Sequence, residues 1–536
     1  MDIPVLIKKG VQFFGPRLAI VDEKKRYSFA EVDERSTRLA RGLLRLGMRK
    51  GDKVVGILKN SSEYVELLFA KYKIGAVDVT LNPRMDLRNL SMQINDCQAT
   101  AVVVDKSSYA KISEIRPQLK GVEHFIVVAE SDQGMISFEQ LIADSEPDVP
   151  PIELDGKDLC RIQYTTGSTG HPKGIMIPYR SDLIVLANLL IDNIPHLCTR
   201  DIFLGVQPIY HAVRAFILPC WMKGATQVMT NDFAPESVFG LVEKERVTMI
   251  KTVPILLNRM IDHPEITKRD LRSVNTIIYG AAPMPTEKIK KAIEIFGPIF
   301  VQNYGQTEVP TTICCLNRED HDIKEDPQKL ARLSSVGRPY TNVEIRIVDD
   351  SGRGVPQGEL GEIIVRSDHA MIGYWKQPLQ VTEETLRNGW IYTGDIGKMD
   401  EAGYVFLVDR KKDMIISGGY NVYPNQIEQI LYKHSAVREA AVVGVPHPEW
   451  GEAVMAVVSI KAGEPVTEQE LIDFCKDHLP SFLKPRGVLF WETLPKNPEG
   501  KILRKAIREQ LQRAEAPRNS VDSAGKERKD ESNESP

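Results

Sequence analysis

The chain has 536 residues, 42% of them hydrophobic and 26% charged, a length that allows roughly two to four domains and excludes a single small binding module. Its 69 Lys and Arg against 73 Asp and Glu give a net charge of -4, which excludes a general attraction to nucleic acid or to an anionic membrane surface. The seven cysteines include no C-x-x-C pair, a pattern typical of reduced thiols and of a cytoplasmic protein. Apolar runs stay below about 18 residues, so we expect neither a signal peptide nor a membrane span.

The first four hundred residues alternate short β-branched runs with helical periodicity, and this alternation predicts α/β architecture. Between Val65 and Tyr72, apolar side chains recur at intervals of three and four residues, which predicts a helix with one buried face. The strands predicted in this region are 53–58, 100–104, 123–128 and 274–279.

The residue pattern of the sequence changes near residues 400–425, where a Gly-containing turn and a short strand lead into the charged segment 409–413. We place the domain boundary there. The chain then consists of an N-terminal domain at 1–409 and a C-terminal domain at 410–513, which is long enough to fold alone.

The C-terminal domain has the pattern of a small α+β fold. Its predicted elements are a helix beginning at Pro424, strands at 438–445 and 454–460, and a helix near 467–478. Residues 514–536 lose this periodicity and are rich in Ser, Glu and Lys. Because so polar a segment cannot offset the entropy of ordering, we expect it to be a disordered tail.

The segment from Tyr164 to Gly174 reads YTTGSTGHPKG and has the chemistry of a phosphate-binding loop. Its three glycines let backbone N–H groups approach an anion closely, and Lys173 supplies a positive charge. The hydroxyls that can donate to phosphate oxygens belong to Thr165, Thr166, Ser168 and Thr169. The spacing is not that of the G-x-x-x-x-G-K-[ST] loop, because Gly174 stands where that loop has its Mg²⁺-binding hydroxyl. A flexible polar loop is the alternative.

This segment resembles the Tyr-Thr-Ser-Gly-Thr-Thr-Gly-x-Pro-Lys-Gly loop of the adenylate-forming enzymes, the superfamily of acyl-CoA synthetases, peptide-synthetase adenylation domains and firefly luciferase. Seven further segments resemble motifs of that family and follow its order. They are 208–211 (PIYH), 280–283 (GAAP), 304–308 (YGQTE), 337–339 (GRP), 389–395 (GWIYTGD), 409–413 (DRKKD) and 495–501 (PKNPEGK). Because eight ordered motifs do not agree by chance, the chain is identified as a member of this family, most like an acyl- or aryl-CoA ligase.

The resemblance implies an α/β fold. A large multi-subdomain N-terminal body with αβαβα-type sheets and a distorted β-barrel would precede a small mobile C-terminal α+β lid. It also implies a ligase that uses ATP, Mg²⁺ and coenzyme A on an apolar aliphatic or aromatic acid. An acyl-adenylate and pyrophosphate form first, and acyl-CoA and AMP follow. Transfer to a carrier-protein phosphopantetheine, a non-catalytic nucleotide- or acyl-binding relative, and a homodimer remain open.

The chemistry requires cations and donors to converge on the phosphates, since negative charge gathers on the phosphoryl oxygens in the transition state. By resemblance, Glu308 is the Mg²⁺ ligand, Tyr304 stacks on adenine and Asp395 accepts the ribose hydroxyls. The implied catalytic residues are Lys501, Glu308, Thr307 and His211. The implied ATP/AMP-binding residues are Thr165, Thr166, Gly167, Ser168, Thr169, Gly170, Lys173, Gly280, Ala281, Ala282, Pro283, Asn303, Tyr304, Gly305, Asp395 and Arg410.

The acid and thiol sites are assigned in the same way. The implied acyl pocket consists of Tyr210, His211, Arg214, Gly280 and Pro310. Many family members have glycine at the position of Arg214. This arginine either points inward, where it shortens the pocket or pairs with a second acidic or polar group of the substrate, or lies on the surface. The implied CoA tunnel consists of Ser417, Gly418 and Gly419, and the implied hinge is Lys412.

Lys501 resembles the mobile lysine of the small domain, which reaches the attacking carboxylate and the α-phosphate during adenylation. Lys501→Ala is therefore expected to abolish acyl-adenylate formation while largely sparing acyl transfer from synthetic acyl-adenylate to CoA. Pyrophosphate exchange measures the first half-reaction, and acyl-CoA formation from the synthetic adenylate measures the second. Equal loss of both half-reactions would refute the assignment of Lys501 to the first one.

Overall fold

The structure is a computed structural model that describes residues 2–130, 134–165, 172–324, 326–461, 463–480, 483–496 and 502–515. The chain divides into two compact units. The first comprises Met1–Thr393 and Lys398–Phe406, and the second comprises Gly394–Gly397 and Leu407–Pro536.

Strands and helices alternate along most of the first unit. The strands are β1 (Leu18–Val21), β2 (Arg26–Ser28), β3 (Lys53–Ile57), β4 (Val77–Thr80), β5 (Ala99–Asp105), β6 (His124–Val128), β7 (Ile136–Ser137), β8 (Leu159–Thr165), β9 (Lys173–Pro178), β10 (Ile202–Gly205), β11 (Thr226–Val228), β12 (Met249–Lys251), β13 (Thr276–Gly280), β14 (Phe300–Tyr304), β15 (Cys314–Leu316), β16 (Arg338–Pro339), β17 (Glu344–Val348), β18 (Gly361–Arg366), β19 (Gly373–Tyr374), β20 (Leu386–Arg387), β21 (Trp390–Met399) and β22 (Val405–Arg410), the last two of which contain residues of both units.

The α-helices of the first unit are α1 (Ile3–Phe14), α2 (Phe29–Arg45), α3 (Ser62–Ile74), α4 (Leu87–Asp96), α5 (Tyr109–Ile115), α6 (Phe138–Ala143), α7 (Tyr179–Asn188), α8 (Ile217–Lys223), α9 (Pro235–Glu245), α10 (Pro254–Ile261), α11 (Thr286–Phe296), α12 (Pro327–Arg332) and α13 (Leu379–Thr385). Short 3₁₀ segments also occur, and the one at Ala212–Phe216 follows His211 directly. Across the described ranges, no helix is both long and apolar enough to cross a membrane.

Two large sheets form the framework of the first unit, and their central strands are parallel. The nine-stranded sheet has the order β16-β15-β14-β13-β12-β10-β11-β1-β2, with parallel pairing from β14 through β1. The eight-stranded sheet has the order β19-β9-β8-β4-β3-β5-β6-β7, with parallel pairing from β8 through β7. A third sheet combines β17, β18, β20, β21 and β22. The loops that follow β10, β12, β13 and β14 therefore meet at one edge, where open α/β sheets bind ligands.

The strands predicted from the sequence are confirmed as β3, β5, β6 and β13. The predicted helix around 65–72 is α3, and its predicted face is buried, but α3 is in addition buried on nearly every other side. Helix α2 packs against it and pairs Arg35 with Glu66 at 2.8 Å. Lys73 of α3 likewise reaches Asp33 of α2 at 2.7 Å. Because these ion pairs satisfy the polar positions of α3, its polar face can be buried, which periodicity alone does not reveal.

The second unit is a small α+β fold, as predicted. Its further elements are β23 (Ile415–Ser417), β24 (Tyr420–Val422), α14 (Pro424–Leu431), β25 (Val437–His447), β26 (Gly451–Ile460), α15 (Glu468–His478), β27 (Gly487–Phe490) and α16 (Arg504–Glu515). The sheet has the order β24-β23-β26-β25, with β27 parallel to β26. Helix α16 extends to Glu515, so the first two residues assigned to the polar tail are helical. The rest of that tail lies outside the described residues.

Candidate active site

The two ends of the predicted phosphate loop are cross-strand partners. Thr165 is the last residue of β8 and Lys173 the first of β9, and the two are paired in an antiparallel register. Thr166, Gly167, Ser168, Thr169 and Gly170 lie outside the described residues. The segment therefore leaves the sheet at Thr165 and rejoins it at Lys173, and the pairing of these two residues fixes the position of Lys173.

Tyr374 connects Lys173 with Glu308. Strand β19 pairs with β9, which places Tyr374 beside the start of β9. The Nζ atom of Lys173 lies 5.2 Å from the centroid of the Tyr374 ring, a cation–π distance. The Tyr374 hydroxyl donates to Oε1 of Glu308 at 3.2 Å. One aromatic side chain therefore holds the candidate phosphate-binding cation and the candidate metal ligand close together.

Glu308 lies in a tight turn that follows β14. Its carbonyl oxygen accepts a hydrogen bond from the backbone N–H of Met371 at 2.8 Å, and Thr307 precedes it in the same turn. Burial, reinforced by the Glu308 carboxylate, raises the pKa of Tyr374, so the phenol stays protonated and donates its hydrogen bond. Carboxylate oxygens are the ligands that Mg²⁺ prefers, and Mg²⁺ sites commonly combine one or two of them with substrate phosphates. The residues present therefore fit a Mg²⁺ ion.

The predicted adenine-binding segments are neighbours in the sheet. Gly280 at the end of β13 pairs with Asn303 of β14, and Tyr304 follows as a buried residue. A Cβ atom at Gly280 would lie 2.2 Å from the carbonyl oxygen of Asn303, so the close approach of the two strands requires glycine. The next residue, Ala281, has a φ of 69°, a strained conformation of the kind found at functional sites. The turn that continues through Ala282 and Pro283 thus begins beside Tyr304.

Asp395 and Arg410 form an ion pair in the second unit. The Nε atom of Arg410 donates to Oδ1 of Asp395 at 2.6 Å, and the carboxylate is largely buried. Lys501 lies outside the described residues, so its place stays a prediction. Lys412, the predicted hinge, is an exposed residue of the 3₁₀ turn at Lys411–Asp413.

The predicted CoA-tunnel residues form the tip of a hairpin in the second unit. Strands β23 and β24 pair Ser417 with Tyr420, which leaves Gly418 and Gly419 as a two-residue turn with φ values of 59° and 83°. This turn type requires positive φ at both residues, hence glycine. Trp450 closes over the turn, since its ring atom Cε3 lies 2.7 Å from where a Cβ atom of Gly418 would be. The sequence motif did not indicate Trp450.

Among the predicted acyl-pocket residues, Arg214 points inward, and the surface alternative is wrong. Its side chain is 10% exposed, with Nε 3.3 Å from Asp78 and Nη2 3.2 Å from Asp182. It also donates to the Tyr72 hydroxyl at 3.0 Å. The guanidinium therefore pairs with carboxylates of the protein itself and fixes the segment that carries His211.

The other pocket residues are held in similar ways. The ring of His211 lies 4.6 Å from that of Tyr210, whose hydroxyl donates to Asn82 at 2.9 Å. Pro310 ends the turn that carries Glu308 and pairs with Gln306 in an isolated bridge. The structure thus places the pocket candidates at the end of β13 and on the loops that follow β10 and β14.

The ion pairs of Arg214 belong to a buried charge cluster that the sequence did not indicate. Arg161 pairs with Asp182, and Lys71 pairs with Asp78 at 2.5 Å. Burial raises the pKa of Asp182, but the charges of Arg161 and Arg214 outweigh burial and hold this pKa below its usual range. The available signal was Asp78 between two valines of the buried strand β4, because an aspartate is rarely buried unless it is paired.

The chain matches known proteins over nearly its whole length. Residues 8–375 match the family described as AMP-binding enzyme, and residues 426–501 match the AMP-binding enzyme C-terminal domain. A feruloyl-CoA synthase of an Amycolatopsis species is 35% identical over 487 residues, which cover 90% of this chain and 93% of that protein. The long-chain-fatty-acid–CoA ligase FadD13 of Mycobacterium tuberculosis is 34% identical over 507 residues, which cover 92% and 96%. The anthranilate CoA ligase AuaEII, solved in complex with anthranoyl-AMP, has the same fold, with a TM-score of 0.87, 24% identity and coverage of 96% and 98%.

The hydroxyl of Tyr374 provides the first test of this site. Tyr374→Phe removes the hydrogen bond to Glu308 and keeps the ring that Lys173 contacts. A hydrogen bond to a charged group contributes about 1.5–3 kcal/mol, so kcat/KM for ATP is expected to fall roughly tenfold to a hundredfold, with a higher Mg²⁺ concentration for half-maximal rate. Thr385→Val is the control, since it removes the other partner of the same hydroxyl, at 3.3 Å. Equal effects of the two substitutions on the Mg²⁺ requirement would contradict this account of Glu308.

The buried charge cluster provides a second test, based on stability. Asp182→Asn leaves Arg161 and Arg214 without their shared carboxylate, and breaking a buried ion pair in this way costs about 3–5 kcal/mol. Arg214→Met leaves one pair at Asp182 and one at Asp78, so its cost is expected to be clearly smaller. Urea unfolding of both variants gives the two free energies. A larger loss of unfolding free energy in Arg214→Met than in Asp182→Asn would show that Asp182 is not the shared counter-ion of the two arginines.

Proposed function

This chain belongs to the family of AMP-binding enzymes, and we propose that it is an ATP-dependent carboxylic acid–CoA ligase. In the first step a carboxylate oxygen of the acid attacks the α-phosphorus of ATP, and the bond to pyrophosphate breaks. In the second step the thiol sulfur of CoA attacks the acyl carbon, the bond to AMP breaks, and the thiol proton is released. The similarity to a feruloyl-CoA synthase and to a long-chain-fatty-acid–CoA ligase over nine-tenths of the chain supports this proposal.

The observation that carries the proposal is the Lys173–Tyr374–Glu308 arrangement. Attack of one anion on another requires positive charge near the phosphates. Lys173 lies at the end of the loop segment and supplies such a charge, while Tyr374 orients the Glu308 carboxylate beside it. Glu308 would hold Mg²⁺, which supplies charge neutralisation on the phosphates when bound. The hydroxyls of Thr165, at the end of β8, and of Thr307, in the turn of Glu308, would donate hydrogen bonds to the phosphates.

The remaining nucleotide contacts follow from the paired strands β13 and β14. Tyr304 would stack on the adenine ring, and the turn from Gly280 to Pro283 would form the opposite wall. Asp395 would accept the ribose hydroxyls, with Arg410 fixing its carboxylate through their ion pair. This role suits a carboxylate, which has two acceptor oxygens.

The second unit would supply the groups that differ between the two steps. Lys501 would contact the acid and the α-phosphate during adenylation, and the hairpin of Ser417, Gly418 and Gly419 would line the path of the CoA thiol in the second step. We propose Lys412 as the hinge of this exchange between an N-terminal domain at 1–409 and a C-terminal domain at 410–513. An exposed position in a short turn can absorb the backbone rotation that a hinge needs.

The acid pocket would accept an apolar body, aliphatic or aromatic. Ile313, Cys314 and Cys315 are buried beside the turn of Glu308 and present apolar surface. Burial raises the pKa of Cys315 to about 12, so this thiol is not a nucleophile at neutral pH. The partners of the enzyme would be the acid, ATP and CoA. The cysteine pattern supports a cytoplasmic setting.

The proposed reaction predicts the products. With an apolar aliphatic or aromatic acid, ATP, Mg²⁺ and CoA, the enzyme is expected to release AMP and pyrophosphate in equal amounts to acyl-CoA, without ADP. Nucleotide chromatography over a panel of aliphatic, aromatic and dicarboxylic acids measures this. Glu308→Gln is expected to lower AMP release at least tenfold, because it removes the carboxylate charge that would hold Mg²⁺, whereas the exposed control Glu359→Gln is expected to leave AMP release unchanged. Release of ADP, or AMP release that does not depend on CoA, would rule the proposal out.

A further inference from the structure

Lys251 is a buried cation with no role in the site described so far. It is the last residue of β12, and 1% of its surface is exposed. Its Nζ atom donates one hydrogen bond, to the carbonyl oxygen of Thr252 at 3.3 Å. In the described part of the chain, no carboxylate pairs with it, and burial alone accounts for its lowered pKa. Because a buried ammonium without a counter-ion costs several kcal/mol, folding stability does not explain this lysine.

The sheet register fixes the direction of the Lys251 side chain. Lys251 is the cross-strand partner of Gly205 on β10, and residues at one level of a sheet point to the same face. On that face, the space beside Gly205 is filled by Val213, whose Cγ1 atom lies 2.7 Å from where a Cβ atom would be. Val213 belongs to the 3₁₀ segment directly after His211. Lys251 therefore points to the face that the proposed acyl-pocket loop covers.

The same register extends towards the nucleotide side. Lys251 also pairs with Ile278 of β13. Two residues further along that strand, Gly280 pairs with Asn303 of β14. Since residues two apart on a strand share a face, Lys251, Gly280 and Asn303 all present the same face of the sheet. The lysine thus lies one strand away from the segment predicted to hold the adenylate.

Further polar atoms at this edge have no hydrogen-bond partner among the described residues. The Nδ2 atom of Asn303, the Oε1 atom of Gln207 and the Oγ1 atom of Thr252 are buried and accept or donate no hydrogen bond to any described residue. Gln207 follows β10, and Thr252 follows β12. The orientation of Asn303 is set by Asn193, whose Nδ2 donates to Asn303 Oδ1 at 2.5 Å, so that its own N–H₂ group is available as a donor. Buried polar groups without partners are uncommon in folded proteins, and a polar ligand at this edge would satisfy these atoms.

We propose that Lys251 binds a second carboxylate on the acid substrate, so that the preferred substrate is a dicarboxylic acid with an apolar aliphatic or aromatic body. The inference rests on the proposed ligase function and specifies its substrate. The carboxylate that reacts with ATP lies at Gly280 and Asn303, and the distal carboxylate pairs with the Lys251 ammonium. This ion pair supplies the counter-ion that the described residues do not provide.

Arg214 was the other candidate for binding a second substrate carboxylate, but its side chain already has charged partners. Its guanidinium pairs with Asp78 and Asp182. A substrate carboxylate at Arg214 would have to compete with these two buried carboxylates. Lys251 has no such competitor in the described residues, which favours it as the recognition group.

The pH dependence of substrate binding follows from the state of the free amine. Burial lowers the pKa of Lys251 to about 7. Below this pH the free enzyme carries the ammonium form that binds a carboxylate, and above it the amine becomes neutral. The KM for a dicarboxylic acid is therefore expected to be lowest below pH 7 and to rise up to tenfold per pH unit above it. The KM for a monocarboxylic acid of the same length has no such dependence.

The test compares straight-chain dicarboxylic acids of four to ten carbons, and benzene-1,4-dicarboxylic acid, with their monocarboxylic counterparts. CoA-dependent AMP release gives kcat and KM for each acid. For at least one pair, the wild-type enzyme is expected to show a KM at least tenfold lower for the dicarboxylic acid. Lys251→Met is expected to raise that KM roughly tenfold or more with a smaller change in kcat, and to lower the KM for the monocarboxylic acid. The exposed control Lys291→Met leaves both values unchanged.

Four outcomes would overturn the proposal, and they separate a failure of the Lys251 role from a failure of the ligase function. AMP release from monocarboxylic acids without a dicarboxylic preference in any pair overturns the role of Lys251 and leaves the ligase function intact. An unchanged preference in Lys251→Met has the same meaning. No AMP release from any acid overturns the ligase function and this inference with it. If Lys251→Met fails to fold, the wild-type pH profile decides, and a KM for the dicarboxylic acid that stays constant from pH 6 to 9 overturns the inference.

Discussion

The contacts of Tyr374 hold the two opposite charges of the candidate site together. Its ring lies beside Lys173 and its hydroxyl donates to Glu308, although these residues lie far apart in the chain. The backbone adds a second link between the same two segments, since Met371 donates to the Glu308 carbonyl and Ile372 donates to Met176 of β9. A reaction between two anions depends on the distance between the cation and the metal ligand, since electrostatic stabilisation requires groups fixed before the charge develops. Through these contacts, Tyr374 sets the position of the candidate metal ligand relative to the candidate phosphate-binding cation.

Arg214 and Lys251 are both buried cations, but they differ in whether carboxylates of the described chain neutralise their charge. The Arg214 guanidinium forms ion pairs with Asp78 and Asp182 of the protein itself, and these ion pairs hold the loop that carries His211 in place. At Lys251 no carboxylate of the described chain supplies the matching charge. A protein gains nothing in stability from the second arrangement, whereas a substrate carboxylate that enters gains an ion pair in a water-poor setting. Charge balance thus separates the structural cation from the proposed recognition cation.

The sequence predicts the parts of this protein that are determined locally. The α/β class, the strands β3, β5, β6 and β13, and the small α+β unit follow from periodicity, and the motifs identify the family because their order along the chain is preserved. Contacts between distant segments could not be predicted. The inward direction of Arg214 depends on Asp78 and Asp182, and the link from Tyr374 to Glu308 depends on the pairing of β19 with β9. The sequence did not indicate Lys251 as a site residue, because one lysine at the end of a short apolar strand is usually a solvated residue.

The order of strands in the nine-stranded sheet sets the dimensions of the proposed acid site. Asn303, Gly280 and Lys251 lie on the successive strands β14, β13 and β12 and share a face. Neighbouring strands are about 4.8 Å apart, so the distance from the predicted adenylate position to β12 is roughly one to two strand spacings, or about 5–10 Å. An acid with a short or ring-shaped apolar body spans this distance and brings its far end to the lysine. A long unsubstituted chain would instead place methylene groups against the amine, where they offer no counter-charge. The same sheet geometry that brings the acid to the nucleotide therefore also favours a short substrate with two carboxylates.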